Sequence, residues 1–127
     1  MPKGKKKRKQ EKGLPGVYRI LCKSNGKMYF GHTMNLLTRI SGHITFLQKG
    51  IHANKALQSD WNLFGEWQFT FTIFIVCQDT FFYERRAVQY YRTYLPENGY
   101  NNRRLLNREE DKQKQRWNKE TKRYEMV

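Results

Sequence analysis

A chain of 127 residues has room for one compact domain with tails, and Trp, Tyr and Phe make up 15% of it, which excludes a wholly disordered chain. Lys and Arg number 25 against 11 Asp and Glu, a net charge of +14 that calls for a polyanionic partner, because basic side chains neutralise phosphates and release counterions. The sequence holds no run of ~18 apolar residues and no signal-peptide apolar region, so neither a membrane span nor secretion is expected.

Residues 1–13 carry seven basic side chains and one acid, with no apolar residue after Met1. Such a segment cannot bury enough surface to fold alone. It reads as a disorder-prone basic arm, with Lys3, Lys5, Lys6, Lys7, Arg8, Lys9 and Lys12 as candidate nucleic-acid contacts. The cluster "GKKKRKQ" also resembles a nuclear-localisation signal.

Residues 14–102 read as the globular domain. "GVYRILC", Gly16 to Cys22, predicts a strand. Ser24–Lys27 predicts a tight turn in which Asn25-Gly26 supplies left-handed dihedrals, and "KMYFG" returns as a second strand ending at Gly31. Leu36, Leu37, Ile40, Ile44 and Leu47 then recur at helical spacing behind a cap at Asn35, and Lys49-Gly50 closes that helix. A second helix is predicted from about Asn54, with Ala56, Leu57, Trp61 and Phe64 as its apolar positions and Gly65 as its stop. "WQFTFTIFIV" alternates, placing Trp67, Phe69, Phe71, Ile73 and Ile75 on one face of a third strand. A helix capped at Asp79 or Thr80 should run to about Leu95, where Pro96 stops it, and "NGYN" follows as a loop.

Residues 103–127 are again basic. The segment reads either as a helical extension capped at Asn107, whose first turn holds Glu109, Glu110 and Asp111, or as a solvated tail. Arg103, Arg104, Arg116, Lys122 and Arg123 are its candidate phosphate contacts, and Trp117 a candidate base-stacking residue. Cys22 and Cys77 form no CxxC pair, so free thiols in a reducing intracellular compartment are expected rather than a zinc site.

The order strand, Asn-Gly hairpin, strand, arginine-bearing helix resembles the GIY-YIG nuclease family. "GVY" at 16–18 and "YFG" at 29–31 stand for its two motifs, Arg39 for its arginine, and "NGYN" at 98–101 for its closing asparagine motif. The resemblance implies an α+β fold: a small three-stranded antiparallel sheet flanked by helices. It also implies phosphodiester hydrolysis with Mg or Mn. Tyr18 and Tyr29 would hold water and phosphate, Arg39 the developing charge, and His43 a phosphate or base role, with Asn101 bracing the site. His52 reads as a surface or loop histidine facing nucleic acid.

The family's catalytic helix commonly reads acid-Arg-acid, a polar residue, then two aromatics. Aligning Gln89, Tyr90 and Tyr91 with that ending puts Val88 where the metal-binding acid belongs. Glu84, one turn earlier, is the candidate substitute. A valine there implies a degenerate site with no cofactor: a protein that binds RNA or DNA backbone, in its specific form a ribonucleoprotein or ribosome-associated subunit. The alternative is an active metal-dependent DNA endonuclease of the homing or mobile-element type, or a deliberately inactivated form of one.

Overall fold

The computed structural model describes residues 13–101 together with 115–118 and 123–126. The basic arm, Arg103, Arg104, Asn107 and Lys122 lie outside the described residues.

Strand β1 (Gly16–Cys22) is the centre of a sheet ordered β2-β1-β3, with β2 (Met28–Thr33) and β3 (Phe69–Val76) both antiparallel to it. The β1–β2 turn closes with the Gly26 N–H donating to the Cys22 carbonyl. Only Gly26, at φ 77°, takes the left-handed conformation; Asn25 instead uses its side-chain oxygen to accept from the Lys27 N–H.

Helix α1 (Leu36–Lys49) starts where the Asn35 side chain accepts from the Thr38 N–H and ends at Gly50 in the left-handed conformation. Helix α2 (Lys55–Phe64) is capped in the same way by Asn54, through Leu57, and stops at Gly65. Leu36, Leu47, Leu57 and Trp61 from these two helices pack on Tyr18, Ile20, Cys22 and Phe69 of the sheet. Helix α3 (Thr80–Tyr91) covers the opposite face, where Ala87 and Val88 pack on Val17 and Phe30. Val88 is 1% exposed. The fold is therefore α+β, one three-stranded antiparallel sheet between helices.

Three expectations are corrected. Trp67 is not in β3: it lies in a 3-10 turn (Glu66–Gln68) and is 81% exposed. The alternation of β3 also breaks, because a bulge opposite Val17 and Tyr18 lets Phe74 pack against Phe30 while Phe71 stays with the other core. Helix α3 ends before Pro96, at Arg92, whose left-handed φ of 55° turns the chain so that the Thr93 N–H donates to the Val88 carbonyl.

The expected C-terminal helix is not found over its second half. Gln115–Asn118 (β4) and Arg123–Met126 (β5) pair as an antiparallel ladder, with Arg116 opposite Glu125, Trp117 opposite Tyr124 and Asn118 opposite Arg123.

Cys22 and Cys77 are free thiols, as expected from their spacing. Among the described residues no helix is long and apolar enough to cross a membrane.

Candidate functional site

The site forms where the hairpin meets the first turns of α1 and α3. In the β1–β2 register Tyr18 faces Gly31 and Tyr29 faces Ile20, which sets the two tyrosine rings side by side with centroids 6.3 Å apart. Gly31 is required by its neighbour: a Cβ there would overlap the Tyr18 hydroxyl. Gly31→Ala is accordingly expected to displace the phenol and slow any reaction at this site by about 10²-fold, the usual consequence of a shift near 1 Å, with nucleic-acid affinity little changed. A cleavage assay beside a binding titration checks this.

Helix α1 supplies the next two groups one turn apart. The Arg39 Nε–H reaches within 3.5 Å of the Tyr18 hydroxyl, and His43 Nε2 lies 2.7 Å from the same oxygen. Burial, with Tyr29 beside it, raises the Tyr18 phenol well above its usual value, so it is protonated at neutral pH. Arg39 is held cationic by its hydrogen bond to Tyr18.

Burial, then the nearby His52 and Arg39, lowers His43 from 6.5 to about 4. His43 is thus neutral at pH 7. Between about pH 4 and 6.5 the unfolded chain binds a proton at this position that the folded chain refuses. Stability should therefore rise with pH across that window and fall away as acid is added. Urea midpoints at pH about 4.5 and about 7.5 check the sign, and His43→Asn should flatten the dependence.

His52 lies in the loop between α1 and α2, as one form of the expectation had it, but it is not at the surface. His52 is buried, and its Nε2 lies 2.7 Å from His43 Nδ1. Its own proton affinity is lowered by burial and by Arg39. A cleft of about 330 Å³ opens beside these groups, lined by Tyr29, Thr38, Arg39, Gly42, His43, Phe46, His52, Ala53 and Asn54.

From α3 comes the carboxylate. Glu84 is 7% exposed, its Oε1 lies 3.4 Å from His32 Nε2, and its charge acts on both Tyr18 and Arg39. His32 Nδ1 in turn meets the Thr80 hydroxyl at 3.2 Å. Val88, expected at the metal position, belongs instead to the core against Val17 and Phe30. Glu84 and Val88 share the buried face of α3 and differ in position along its axis: Ala87 and Val88 meet Val17 and Phe30, while Glu84, one turn nearer the N-terminus, meets His32. The Tyr90 and Tyr91 pair that suggested the other alignment is exposed, Tyr90 at 80%. Glu84 is also the only acid between Thr80 and Tyr91, a signal the sequence did contain.

Asn101 does not join this cluster. Its Oδ1 accepts from the Phe30 N–H at 2.9 Å and the Thr93 hydroxyl at 2.8 Å, and its Nδ2 donates to the Phe30 carbonyl at 2.8 Å. It pins β2 to the chain after α3, and so acts on the neighbouring Tyr29 through the backbone. His32 and Thr80 were missed by sequence reasoning; neither stands in the short motifs, and only the packing of α3 on β2 joins them to Glu84. The side chains of Arg116, Trp117 and Arg123 lie outside the description, as do those of the N-terminal arm.

One carboxylate suits a small hard cation. Mg²⁺ is commonly held by one or two carboxylates, with waters and substrate phosphate oxygens completing its shell. Among the described residues there is no cluster of three or more His, Cys, Asp or Glu, so a metal caged wholly by protein is not built here. Glu84, lying among groups suited to phosphate, fits the sparser arrangement.

Comparison with known proteins identifies the family of the fold. A family profile described as the GIY-YIG catalytic domain matches residues 14–101. Two solved structures are similar. One is the catalytic domain of intron endonuclease I-TevI in an alanine-mutant form, at 24% identity and TM-score 0.64 over 71% of this chain and 94% of that one. The other is described as the catalytic domain of homing endonuclease I-TevI, at 26% identity and TM-score 0.61 over 68% and 95%. A search of curated proteins gives no match. With the family profile spanning most of its length, the chain belongs to the GIY-YIG family.

Proposed function

We propose that this chain is an active, divalent-metal-dependent endonuclease that cleaves phosphodiester bonds in DNA. The observation that carries the reading is a buried carboxylate, Glu84, 3.4 Å from His32 on β2 and close enough for its charge to act on Tyr18 and Arg39, with Val88 in the core. A buried carboxylate at residue 84 supports an active site over a degenerate one. DNA is the substrate that family membership favours, and the similar solved domains come from an intron and homing endonuclease.

The residues divide the work. Arg39 balances the charge that grows on the phosphate oxygens as the nucleophile attacks. Tyr18 and Tyr29 present hydroxyls to phosphate and water. Glu84 would hold Mg²⁺ or Mn²⁺, which when bound supplies Lewis-acid polarisation of the scissile phosphate. The net charge of +14 supplies encounter and non-specific affinity, so binding should weaken steeply between about 50 and 200 mM salt.

A binding-only reading, in its ribonucleoprotein form, keeps support only from the net charge and the basic ends of the chain. One experiment separates the two: Mg²⁺-dependent nicking of supercoiled plasmid beside structured RNA, with Arg39→Ala as control. Nicking of the plasmid, reduced by about 10²- to 10³-fold in Arg39→Ala, supports the nuclease reading. A protein inert in both Mg²⁺ and Mn²⁺ that still binds RNA tightly supports the other.

A further inference from the structure

We infer that His52 is a positioning residue: it fixes the tautomer of His43, which then donates to the Tyr18 oxygen and leaves the Tyr18 hydroxyl proton directed at the substrate phosphate. The last step rests on the nuclease reading above; the tautomer itself does not.

The chain of donors starts from a group with no choice. The backbone N–H of Asn54 can only donate, and it lies 3.0 Å from His52 Nδ1. A neutral imidazole has one protonated and one bare nitrogen, and which is which follows from the bond the other makes. His52 must therefore carry its proton on Nε2. That nitrogen lies 2.7 Å from His43 Nδ1, which must accept. The His43 proton is then on Nε2, 2.7 Å from the Tyr18 hydroxyl oxygen. The two imidazoles sit edge to edge: their centroids are 4.9 Å apart and their planes 22° apart, and the nitrogen–nitrogen distance plus the two ring radii accounts for most of that separation. An in-plane N–H···N bond fits this arrangement.

The anchor is rigid. Asn54 caps α2, and its side-chain Nδ2 donates to the Tyr100 carbonyl. The His52 backbone N–H donates to Gln58 Oε1 at 2.9 Å, while Gln58 Nε2 donates to the Leu47 carbonyl at 3.1 Å. His52 is thus fixed at its backbone and at both ring nitrogens.

The consequence falls on Tyr18. Its oxygen faces two obligatory donors, His43 Nε2–H and Arg39 Nε–H. A phenol oxygen so occupied accepts from both and turns its own hydrogen elsewhere. His43 offers Tyr18 no lone pair, so it cannot take the phenolic proton. The Tyr18 hydroxyl hydrogen is then free to be donated to a substrate phosphate oxygen.

The test is long-range proton–nitrogen NMR on the uniformly ¹⁵N-labelled full chain at neutral pH. Wild-type protein should show His43 protonated on Nε2 and bare on Nδ1. His52→Phe keeps an aromatic ring but cannot donate, and should release His43 into a mixture of tautomers. His52→Gln, whose amide N–H can donate to His43 Nδ1, should restore the single form. Single-turnover nicking should fall by about 10- to 100-fold in His52→Phe, with Kd for DNA unchanged, and recover largely in His52→Gln. A wild-type spectrum with His43 protonated on Nδ1 overturns the inference. So does a His43 tautomer unmoved in a folded His52→Phe variant. Should that variant fail to fold, the wild-type spectrum alone decides. The expected tautomer in a protein that nicks no DNA overturns the nuclease reading and supports the tautomer assignment.

Discussion

Glu84→Gln is expected to slow metal-dependent nicking by about 10³-fold or more while leaving DNA affinity nearly unchanged. The side chain keeps its length, and a carbonyl oxygen can still meet His32, so the local packing survives. What is lost is the negative charge that would hold the cation opposite Arg39. Folding should not suffer, because removing a buried charge also removes its desolvation cost. The contrasting substitution is Val88→Glu. It would bury a carboxylate against Val17 and Phe30 in a packed apolar cluster, and should cost stability without adding activity. Nicking rates, a DNA-binding titration and urea unfolding on the two variants separate loss of chemistry from loss of fold.

Asn101→Leu should be the most damaging change to stability among the site candidates. Leucine is similar in size but leaves the Phe30 N–H and carbonyl and the Thr93 hydroxyl without the partner they now share. Each stranded buried group costs on the order of 1–3 kcal/mol, so a total of roughly 3 kcal/mol or more is expected in urea unfolding. The same segment is tied to β2 by the Tyr100 N–H donating to the Met28 carbonyl and by the Met28 N–H donating to the Asn98 carbonyl. Loosening it should therefore disturb Tyr29, which sits between Met28 and Phe30. A variant that is destabilised but retains full nicking when folded would show that the brace does not reach the site.

The parts of the fold written in local chemistry are legible in the sequence itself. Asn35, Asn54, Gly26, Gly50 and Gly65 start or stop their elements through their own side chains or through a left-handed backbone, and each stands where its residue type predicts. The tyrosines and Arg39 are legible through the resemblance of "GVY", "YFG" and the arginine-bearing helix to the GIY-YIG family. What is not legible depends on partners distant in sequence. The bulge at Phe74 needs β1 opposite it, and the early end of α3 at Arg92 needs Thr93 to reach Asn101. His52 looks like a loop residue because its meaning comes from His43 on another element. Glu84 and Val88 lie on the same side of a helix one turn apart, so periodicity does not say which faces the site. Packing against Val17 and Phe30 decides it. Residues 115–126 read as helix from their charge and capping pattern, yet four-residue runs around Trp117 and Tyr124 pair as strands.

The proposed function makes residue 84, rather than residue 88, the carboxylate of the site. Anomalous diffraction from crystals grown with Mn²⁺ and a DNA duplex tests this most directly. The expected result is a peak within about 2.0–2.2 Å of a Glu84 carboxylate oxygen and near a phosphate, absent from Glu84→Gln crystals grown in the same way. A duplex seated in the cleft with no metal beside Glu84, or a peak that persists unchanged in Glu84→Gln, would contradict it.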